Sequence, residues 1–218
     1  MRKGMEHFIN NPIYTITAEA MSNGRNNIEV VGKMLEAGIK FIQYREKEKP
    51  ALERYQECMQ LVKMTKEAGA IFIIDDFVDL AMAVNADGVH IGQTDLPPQV
   101  VRQLIGEDKI LGLSTHEAAH ALKAVQLGAD YIGVGAVFST NTKKNTKNVT
   151  IKMLQEIVKA VSIPVVAIGG INCSNVKYLH ETGISGIAVV SAILGAAQAY
   201  SAAKKMKKVV ISTLNIKK

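Results

Sequence analysis

Short runs rich in Ile and Val alternate along the chain with longer segments whose apolar residues recur at helical spacing. The short runs, bounded by turn residues, predict strands, and the longer segments predict helices. Strands are predicted at residues 13–17, 40–45, 71–75, 88–92, 110–114, 131–137, 164–170 and 186–192. Helices are predicted at residues 26–38, 50–69, 78–86, 97–106, 116–128, 150–161 and 173–183, and from about residue 193. The pattern therefore predicts eight strand–helix units.

This succession of elements indicates the fold class. Strands separated by helices pair in parallel, and nearly continuous apolar strands are typical of a sheet covered on both faces. Eight such units in 218 residues favour a single-domain α/β fold, the (β/α)8 TIM barrel. Residues 209–218 are a candidate C-terminal extension, either a capping segment or a frayed end. An open doubly wound sheet is the alternative, but the segment after the first strand, AEAMSNGRNN, lacks a GxGxxG motif.

Composition narrows the function classes. Hydrophobic residues make up 48% of the chain and charged residues 21%, as in globular proteins. The net charge of +6 is dispersed, with no long basic run among aromatic residues, so we predict no nucleic-acid partner. Cys58 and Cys173 lie in no CxxC or Cys/His cluster and predict neither a zinc site nor a disulfide framework. Without a membrane-length apolar run or a signal peptide, we predict no membrane partner and, by default, a cytoplasmic protein.

Polar residues collect at the predicted strand ends, where the active site of such a barrel lies. In the stretch FIQYREK (41–47), alternate side chains turn to opposite faces, so Gln43, Arg45 and Lys47 share one side. The other strand ends, or the loops after them, carry Asp75, Asp76, Gln93, Asp95, Ser114, His116, Ser139, Thr140, Thr142, Lys143, Gly169, Gly170 and Ser191. One end of the barrel is thus predicted to be cationic, acidic and rich in hydroxyl groups.

Many of these groups suit phosphate. Arginine forms paired hydrogen bonds with phosphate oxygens, lysine acts as a point charge, and glycine lets backbone N–H groups come close. The loops after strands seven and eight are a recurrent phosphate site in barrels, and a helix N-terminus adds to it. The candidate phosphate ligands are the cations Arg45, Lys47 and Lys143, the hydroxyls of Thr140 and Thr142, and the backbone around Gly170, Val190 and Ser191.

Asp76 and Asp95, on neighbouring strand ends, are candidate ligands of one Mg²⁺, which prefers one or two carboxylates with phosphates and water. With two phosphate-handling regions, this site indicates a diphosphate substrate and a phosphorylated second substrate. For Asp75 or Asp76 alone, capping of the following helix is an equal alternative. His90, inside an apolar strand, is interpreted as structural. His116 is interpreted as the start of a helix, with proton transfer as the alternative.

The order and spacing of seven motifs are specific to one family. They are QYREK (43–47), IIDDFVDLA (73–81), ADGVHIGQTD (86–95), LGLSTH (111–116), GADYIGVGAVFSTNTKK (128–144), IPVVAIGGI (163–171) and GIAVVSAI (186–193). Together they resemble the thiamine-phosphate synthase family over nearly the whole chain. The resemblance implies a (β/α)8-barrel transferase that uses Mg²⁺. It would join 4-amino-2-methyl-5-pyrimidinylmethyl diphosphate to a thiazole phosphate, giving thiamine phosphate and pyrophosphate.

The resemblance also implies roles for individual residues. Arg45, Lys47, Ser114 and Lys143 would be catalytic. Substrate would be bound by Gln43, Tyr44, Arg45, Glu46, Lys47, Asp75, Ser114, Thr140, Thr142, Lys143, Gly170, Val190 and Ser191. In that set, Thr140, Thr142, Gly170, Val190 and Ser191 would serve the thiazole phosphate. Asp76 and Asp95 would hold Mg²⁺. The partners would be the two phosphorylated small molecules, with a homo-oligomer as a further candidate.

The chain departs from the family pattern at two strand ends. Asp75 stands where the family usually has Asn, which adds a negative charge near a diphosphate. Ala136 and Ser139 replace two prolines in the loop after strand six, which predicts a less rigid loop. A thiazole tautomerase-like isomerase is one alternative, although it would not need the Gln43, Arg45 and Lys47 set. A catalytically silent barrel that binds phosphate ligands is another. A sugar-phosphate epimerase would need two acid/base carboxylates facing one sugar carbon, and no such pair is assigned.

Overall fold

The computed structural model describes residues 5–6, 10–140, 142 and 147–214. Within these residues eight strands form one closed barrel. They are β1 (Ile13–Ile16), β2 (Phe41–Tyr44), β3 (Ile71–Asp75), β4 (Gly88–Ile91), β5 (Ile110–Thr115), β6 (Tyr131–Val134), β7 (Val165–Ile168) and β8 (Gly186–Val189). Each strand pairs in parallel with the next, and β8 pairs with β1. The predicted (β/α)8 fold is confirmed.

Within the ranges given above, six helices lie between successive strands from β1 to β7, and two more follow β8. They are α1 (Asn27–Glu36), α2 (Ala51–Glu67), α3 (Val78–Ala83), α4 (Pro98–Ile105), α5 (Ala118–Gln126), α6 (Ile151–Ala160), α7 (Ser191–Leu194) and α8 (Ala199–Thr213). Two begin at side-chain caps: Asn26 accepts a hydrogen bond from Glu29 N–H, and Thr150 accepts one from Met153 N–H. Such caps satisfy backbone donors that have no partner inside the helix.

One predicted helix differs from the structure, and part of the candidate C-terminal extension lies in a helix. The helix predicted at 173–183 is a single 3₁₀ turn, Val176–Leu179. The Asn172 carboxamide oxygen accepts from the backbone N–H groups of Ser174 and Asn175, and such local bonds compete with helix formation. Residues 209–213, predicted as the start of an extension, are the last turns of α8, where Val210 is fully buried. Residues 215–218 lie outside the described part of the chain.

Apolar side chains form two layers around the strands. The larger layer lies between the strands and the helices and includes Ile42, Tyr44 and Leu61. The smaller layer fills the inside of the barrel with Tyr14, Phe41, Ile73 and others. This inner layer fills the barrel below the carboxyl ends of the strands. No helix in the described part of the chain is both long and apolar enough to cross a lipid bilayer.

Candidate active site

One cavity of about 400 Å³ opens at the carboxyl ends of the strands. Of the predicted site residues, Gln43, Arg45, Lys47, Asp75, Asp76, Asp95, Ser114, Thr140, Thr142, Gly170, Val190 and Ser191 line it. Lys143 lies outside the described residues, so its position is not part of this geometry. Parallel strands end at the same edge of a barrel, which is why residues from seven strand ends share one space.

Two ion pairs stand at the mouth of this cavity. Arg45 Nε lies 3.4 Å from Asp75 Oδ2, and Lys47 Nζ lies 2.6 Å from Asp76 Oδ2. β2 and β3 are neighbours, so residues just beyond their ends meet side by side. The pairs hold both cations at the cavity although neither lies within a strand. An anionic ligand would meet cations that are already in place.

The Asp75 carboxyl is buried, and its pKa is raised to about 7, with burial as the largest cause. That value already includes the raising effect of the nearby Asp76 carboxylate and the lowering effect of the charges of Arg45 and Lys47. Burial penalises the ionised form more than the two cations favour it. Near neutral pH the site therefore holds Asp75 as a mixture of its charged and neutral forms.

Asp76 and Asp95 form a close carboxylate pair. Asp76 has a left-handed backbone (φ 61°), a conformation that Asp tolerates better than most residues, and its N–H donates to His90 O at 2.9 Å. Asp95 Oδ2 accepts from Gly92 N–H at 2.6 Å. The pKa of Asp95 is raised, first by burial and then by a hydrogen bond and charge repulsion from Asp76, against the lowering effect of Gly92.

Such a pair fits one Mg²⁺ ion. A divalent cation would relieve the repulsion between the two carboxylates, and magnesium uses only one or two protein carboxylates. Among the described residues there is no group of three or more His, Cys, Asp and Glu side chains that could enclose a metal. Two carboxylates would leave the other positions around such an ion to phosphate oxygens and water.

A chain of hydrogen bonds crosses the cavity floor. Gln43 Nε2 donates to Tyr14 OH at 2.8 Å, and Tyr14 OH lies 2.9 Å from Tyr131 OH. Tyr131 OH lies 3.0 Å from His90 Nδ1, and His90 Nε2 lies 2.9 Å from Ser114 Oγ. The chain connects strand ends on opposite sides of the barrel. It fixes the orientation of the Gln43 amide and the Ser114 hydroxyl, two predicted substrate ligands.

Sequence reasoning missed part of this lining. Tyr14, which lines the cavity, reads in the sequence as one more apolar strand residue. Tyr131 reads the same way; it does not line the cavity but bonds to Tyr14 and His90, which do. His90, interpreted as structural, is indeed hydrogen-bonded, but its ring also faces the cavity. The lining also includes His120 and Lys147. The available signal was that every second strand residue points into the barrel. That alternation does not show which inward hydroxyl groups meet across the barrel.

The opposite side of the cavity is built largely from backbone and hydroxyl groups. Gly169 and Gly170 both have positive φ, 103° and 61°. A Cβ on Gly170 would lie 2.2 Å from Ser139 O, so only glycine fits there. Thr140 Oγ1 accepts from Thr142 N–H and contacts its hydroxyl, each at 3.2 Å. The loops after β6 and β7 thus come together at a position where barrels often bind phosphate.

Tyr44 and Glu46, predicted as substrate ligands, do not line the cavity. Tyr44 packs in the layer between strands and helices, and its hydroxyl donates to Glu57 Oε2 at 2.6 Å. Glu46 accepts from Glu19 N–H and Asn27 Nδ2. Strand alternation turns Tyr44 away from the side that Gln43 faces, whereas Glu46, beyond the end of β2, is held outside by its bonds to Glu19 and Asn27. They are therefore left out of the site proposed below.

The fold and this cavity define a class of protein: a (β/α)8-barrel enzyme with paired cations, a carboxylate pair and a glycine-lined strand end. Comparisons specify the class further. The family model "Thiamine monophosphate synthase" matches residues 13–193. A thiamine-phosphate synthase of Pelotomaculum thermopropionicum is 52% identical over 89% of this chain and 90% of the relative. One from Lawsonia intracellularis is 50% identical over 84% and 85%.

A solved structure agrees with these relatives. The thiamine phosphate pyrophosphorylase from Pyrococcus furiosus superposes with a TM-score of 0.87 at 39% identity, covering 95% of this chain and 98% of that one. The chain belongs to the thiamine monophosphate synthase family. This membership confirms the predicted family and the predicted enzyme class, a transferase.

Proposed function

We propose that this protein joins 4-amino-2-methyl-5-pyrimidinylmethyl diphosphate to a thiazole phosphate and releases thiamine phosphate and pyrophosphate. The observation that carries the proposal is the pairing of Arg45 with Asp75 and of Lys47 with Asp76 at one edge of the cavity. A diphosphate needs more than one positive group, and a leaving diphosphate needs them in place before its bond breaks. Family membership supports the same reaction.

In this proposal Asp76 and Asp95 would hold Mg²⁺. The ion would supply positive charge to the diphosphate oxygens, as it does in other sites that combine few carboxylates with phosphates. The closeness of the two carboxylates supports this assignment, because the charge of Asp76 raises the Asp95 pKa in addition to burial. In this proposal Lys47 would both neutralise the diphosphate and hold Asp76 in position, since its ammonium lies next to the Asp76 carboxylate.

The pyrimidine would lie over the cavity floor. Gln43 donates to Tyr14, which fixes the amide so that its carbonyl oxygen can accept from an amino group of the ring. Ser114, held by His90 at 2.9 Å, would contact the same substrate. Arg45, Lys47 and Lys143 would neutralise the diphosphate, with Asp75 setting the position of Arg45.

The thiazole phosphate would bind at the other side of the cavity. The backbone around Gly170 and Val190–Ser191 and the hydroxyls of Thr140 and Thr142 line this side. Gly169 and Gly170 support a phosphate role because both have positive φ and no side chain, so that backbone N–H groups can come close to a phosphate. The two sites face one cavity, so the thiazole nitrogen and the pyrimidine carbon could meet without a carrier group on the protein.

The reaction would proceed by positioning and electrostatics. The carbon–oxygen bond to the diphosphate breaks, and the amino-substituted ring stabilises the methylene cation that remains. The thiazole nitrogen then donates its electron pair to that carbon. Arg45 and Lys47 stabilise the departing charge, and the floor residues hold the ring in place. No side chain needs to act as a nucleophile.

A direct assay tests the proposal. Purified protein is mixed with both substrates and Mg²⁺, and thiamine phosphate is detected by mass spectrometry, with release of pyrophosphate measured in parallel. We expect both products, and we expect neither when EDTA is added. A folded sample that yields no thiamine phosphate would overturn the proposal; isomerised thiazole phosphate in that sample would favour the tautomerase alternative. A cytoplasmic location and a homo-oligomer stay predictions of the sequence.

A further inference from the structure

The segment that carries Arg45 and Lys47 is not part of the barrel sheet. β2 ends at Tyr44, and residues 45–50 have no regular structure before α2 begins at Ala51. One contact with the strand end is a hydrogen bond from Arg45 N–H to Thr17 Oγ1, at 2.8 Å. Beyond Arg45 the segment therefore depends on side-chain contacts for its position.

Those contacts form a cluster on the outside of the barrel, which we call the outer cluster: Glu19, Asn27, Tyr44, Glu46, Lys49 and Glu57. Glu46 Oε1 accepts from Glu19 N–H at 2.9 Å and from Asn27 Nδ2 at 3.0 Å. Lys49 Nζ lies 2.7 Å from Glu19 Oε2 and 2.9 Å from Glu57 Oε2. These bonds tie the segment to the loop after β1 and to α2.

The outer cluster is well shielded from water. Asn27 is 1% exposed, and the Lys49 side chain is 22% exposed. Its hydrogen bonds to Glu19 and Glu57 raise the Lys49 pKa against the lowering effect of burial. Hydrogen bonds that involve ionised groups are stronger than neutral ones, and partial burial limits screening. The cluster can therefore hold the segment firmly.

The segment connects the outer cluster to the cavity. Glu46 lies between Arg45 and Lys47, whose cationic groups reach Asp75 and Asp76 on the cavity side. Alternating side chains face the cluster and the cavity in turn, so a shift of Glu46 would move both neighbours. We propose that Glu46, held by the Glu19 backbone and Asn27, is a positioning residue for Arg45 and Lys47. It would thereby control diphosphate affinity; this rests on the proposed function.

The test measures binding of inorganic pyrophosphate with Mg²⁺ by calorimetry, together with KM for each substrate. Glu46→Ala removes both hydrogen bonds. We expect a pyrophosphate Kd weaker by roughly 10- to 100-fold, since misplacement by about 1 Å can cost that much. The KM for thiazole phosphate should change by less than about 3-fold, because that ligand does not contact this segment. A general loss of structure would instead weaken both.

Two matched variants separate positioning from stability. Glu46→Gln keeps a carbonyl oxygen that can accept both bonds, since both go to Oε1 in the wild type, and should restore affinity to within about 3-fold. Asp130→Ala removes a buried ion pair with Arg102 at the opposite end of the barrel. It should lower Tm and leave the pyrophosphate Kd unchanged. If Glu46→Ala does not fold, Lys49→Met disturbs the same cluster and should give the same selective loss.

The outcomes decide the two proposals separately. Unchanged pyrophosphate affinity in Glu46→Ala, equal loss of both ligands, or failure of Glu46→Gln to restore affinity would each overturn the positioning role. A wild-type protein that binds pyrophosphate but makes no thiamine phosphate would contradict the proposed function. The pyrophosphate Kd values of the Glu46 variants would still test the positioning role. A wild type that binds no pyrophosphate would overturn both.

Discussion

The two sides of the cavity are built to meet anionic groups by different means. On the β2–β4 side, Arg45 and Lys47 stand in ion pairs with carboxylates at 3.4 and 2.6 Å. On the β6–β8 side, the lining is largely backbone and hydroxyl groups around Gly170 and Thr140, with Lys147 as a cation among the described residues. The first side depends on charge, and the second depends on backbone shape.

This difference predicts which changes will weaken ligand binding on each side. Charges that are paired with acids respond to substitutions, to metal and to pH, because every change alters a balance among several groups. The β6–β8 side depends less on charge, but an added side-chain atom at Gly170 would clash with the backbone there. Substitutions on the two sides should therefore affect different substrates. Four experiments test this contrast, beginning with the largest effect.

The largest effect is expected for Asp95→Ala. This change removes one of the two proposed Mg²⁺ ligands, which should reduce thiamine phosphate formation by at least about 10³-fold, because a bound metal supplies several kcal/mol of charge stabilisation. The measurement is the initial rate over a Mg²⁺ titration. Asp95→Asn serves as the control for folding, since its carbonyl can still accept from Gly92 N–H. Normal activity in folded Asp95→Ala would contradict the magnesium assignment.

Arg45→Ala should have the next largest effect. The variant loses the forked cation next to Asp75, and we expect kcat/KM for the diphosphate substrate to fall by roughly 10²-fold. The Arg45→Lys variant keeps the positive charge but not the paired hydrogen bonds of arginine. Its kcat/KM should lie between those of the wild type and Arg45→Ala. Lys33→Ala, on the exposed face of α1, is the matched loss of one positive charge. Equal effects of Arg45→Ala on both substrates would remove the distinction between the two sides.

Gly170→Ala tests the backbone side. The residue has φ 61°, and the new Cβ would lie 2.2 Å from Ser139 O, so the loops after β6 and β7 must move apart. We expect KM for thiazole phosphate to rise by about 10-fold and stability to fall by roughly 1–3 kcal/mol.

A second glycine provides the control for backbone strain. Gly106 has φ 75°, and a Cβ there would have no atom within 4 Å. Gly106→Ala should therefore show the cost of backbone strain alone, roughly 1–3 kcal/mol because φ 75° and ψ −178° suit glycine, and should leave both KM values unchanged. If Gly170→Ala weakened the diphosphate substrate instead of the thiazole phosphate, the assignment of the two sides would be reversed.

The fourth experiment concerns the pH dependence of stability, where the expected effect on substrate binding is the smallest. The folded-state pKa of Asp75, about 7, lies above its usual value of 3.8, so the folded protein binds a proton that the unfolded chain releases. The contribution of Asp75 to stability is then fully present below about pH 4 and is lost as the pH rises to about 7. Asp75→Asn should remove this slope, worth as much as a few kcal/mol at about 1.4 kcal/mol per pKa unit.

Urea unfolding between pH 4 and pH 8, with EDTA present, measures this slope. Asp87→Asn is a useful comparison, because Asp87 accepts from Phe72 N–H at the other end of the barrel and lies far from Asp75. It should keep the pH slope of the wild type. If Asp75→Asn kept that slope as well, another group would be responsible for it.

Much of this protein followed from its sequence. The repeated strand and helix periods are local properties, and eight such units without a GxGxxG motif after the first strand favour a barrel over an open sheet, so the fold could be predicted without the structure. The same barrel geometry brings strand ends together, which is why twelve of the predicted site residues line one cavity. The motifs after those strands also predicted the family that the comparisons confirmed.

The tertiary structure decided what each polar group meets. The alternation in FIQYREK was visible in the sequence. The partners of Glu46 come from the loop after β1 and from α1, so the sequence could not show that Glu46 binds outside the cavity. Tyr14 and Tyr131 are 117 positions apart in the chain and share a hydrogen bond only because β1 and β6 face each other across the barrel. Periodicity is a local property that one segment contains, whereas a hydrogen-bond partner, a pKa and a cavity depend on segments that only folding brings together.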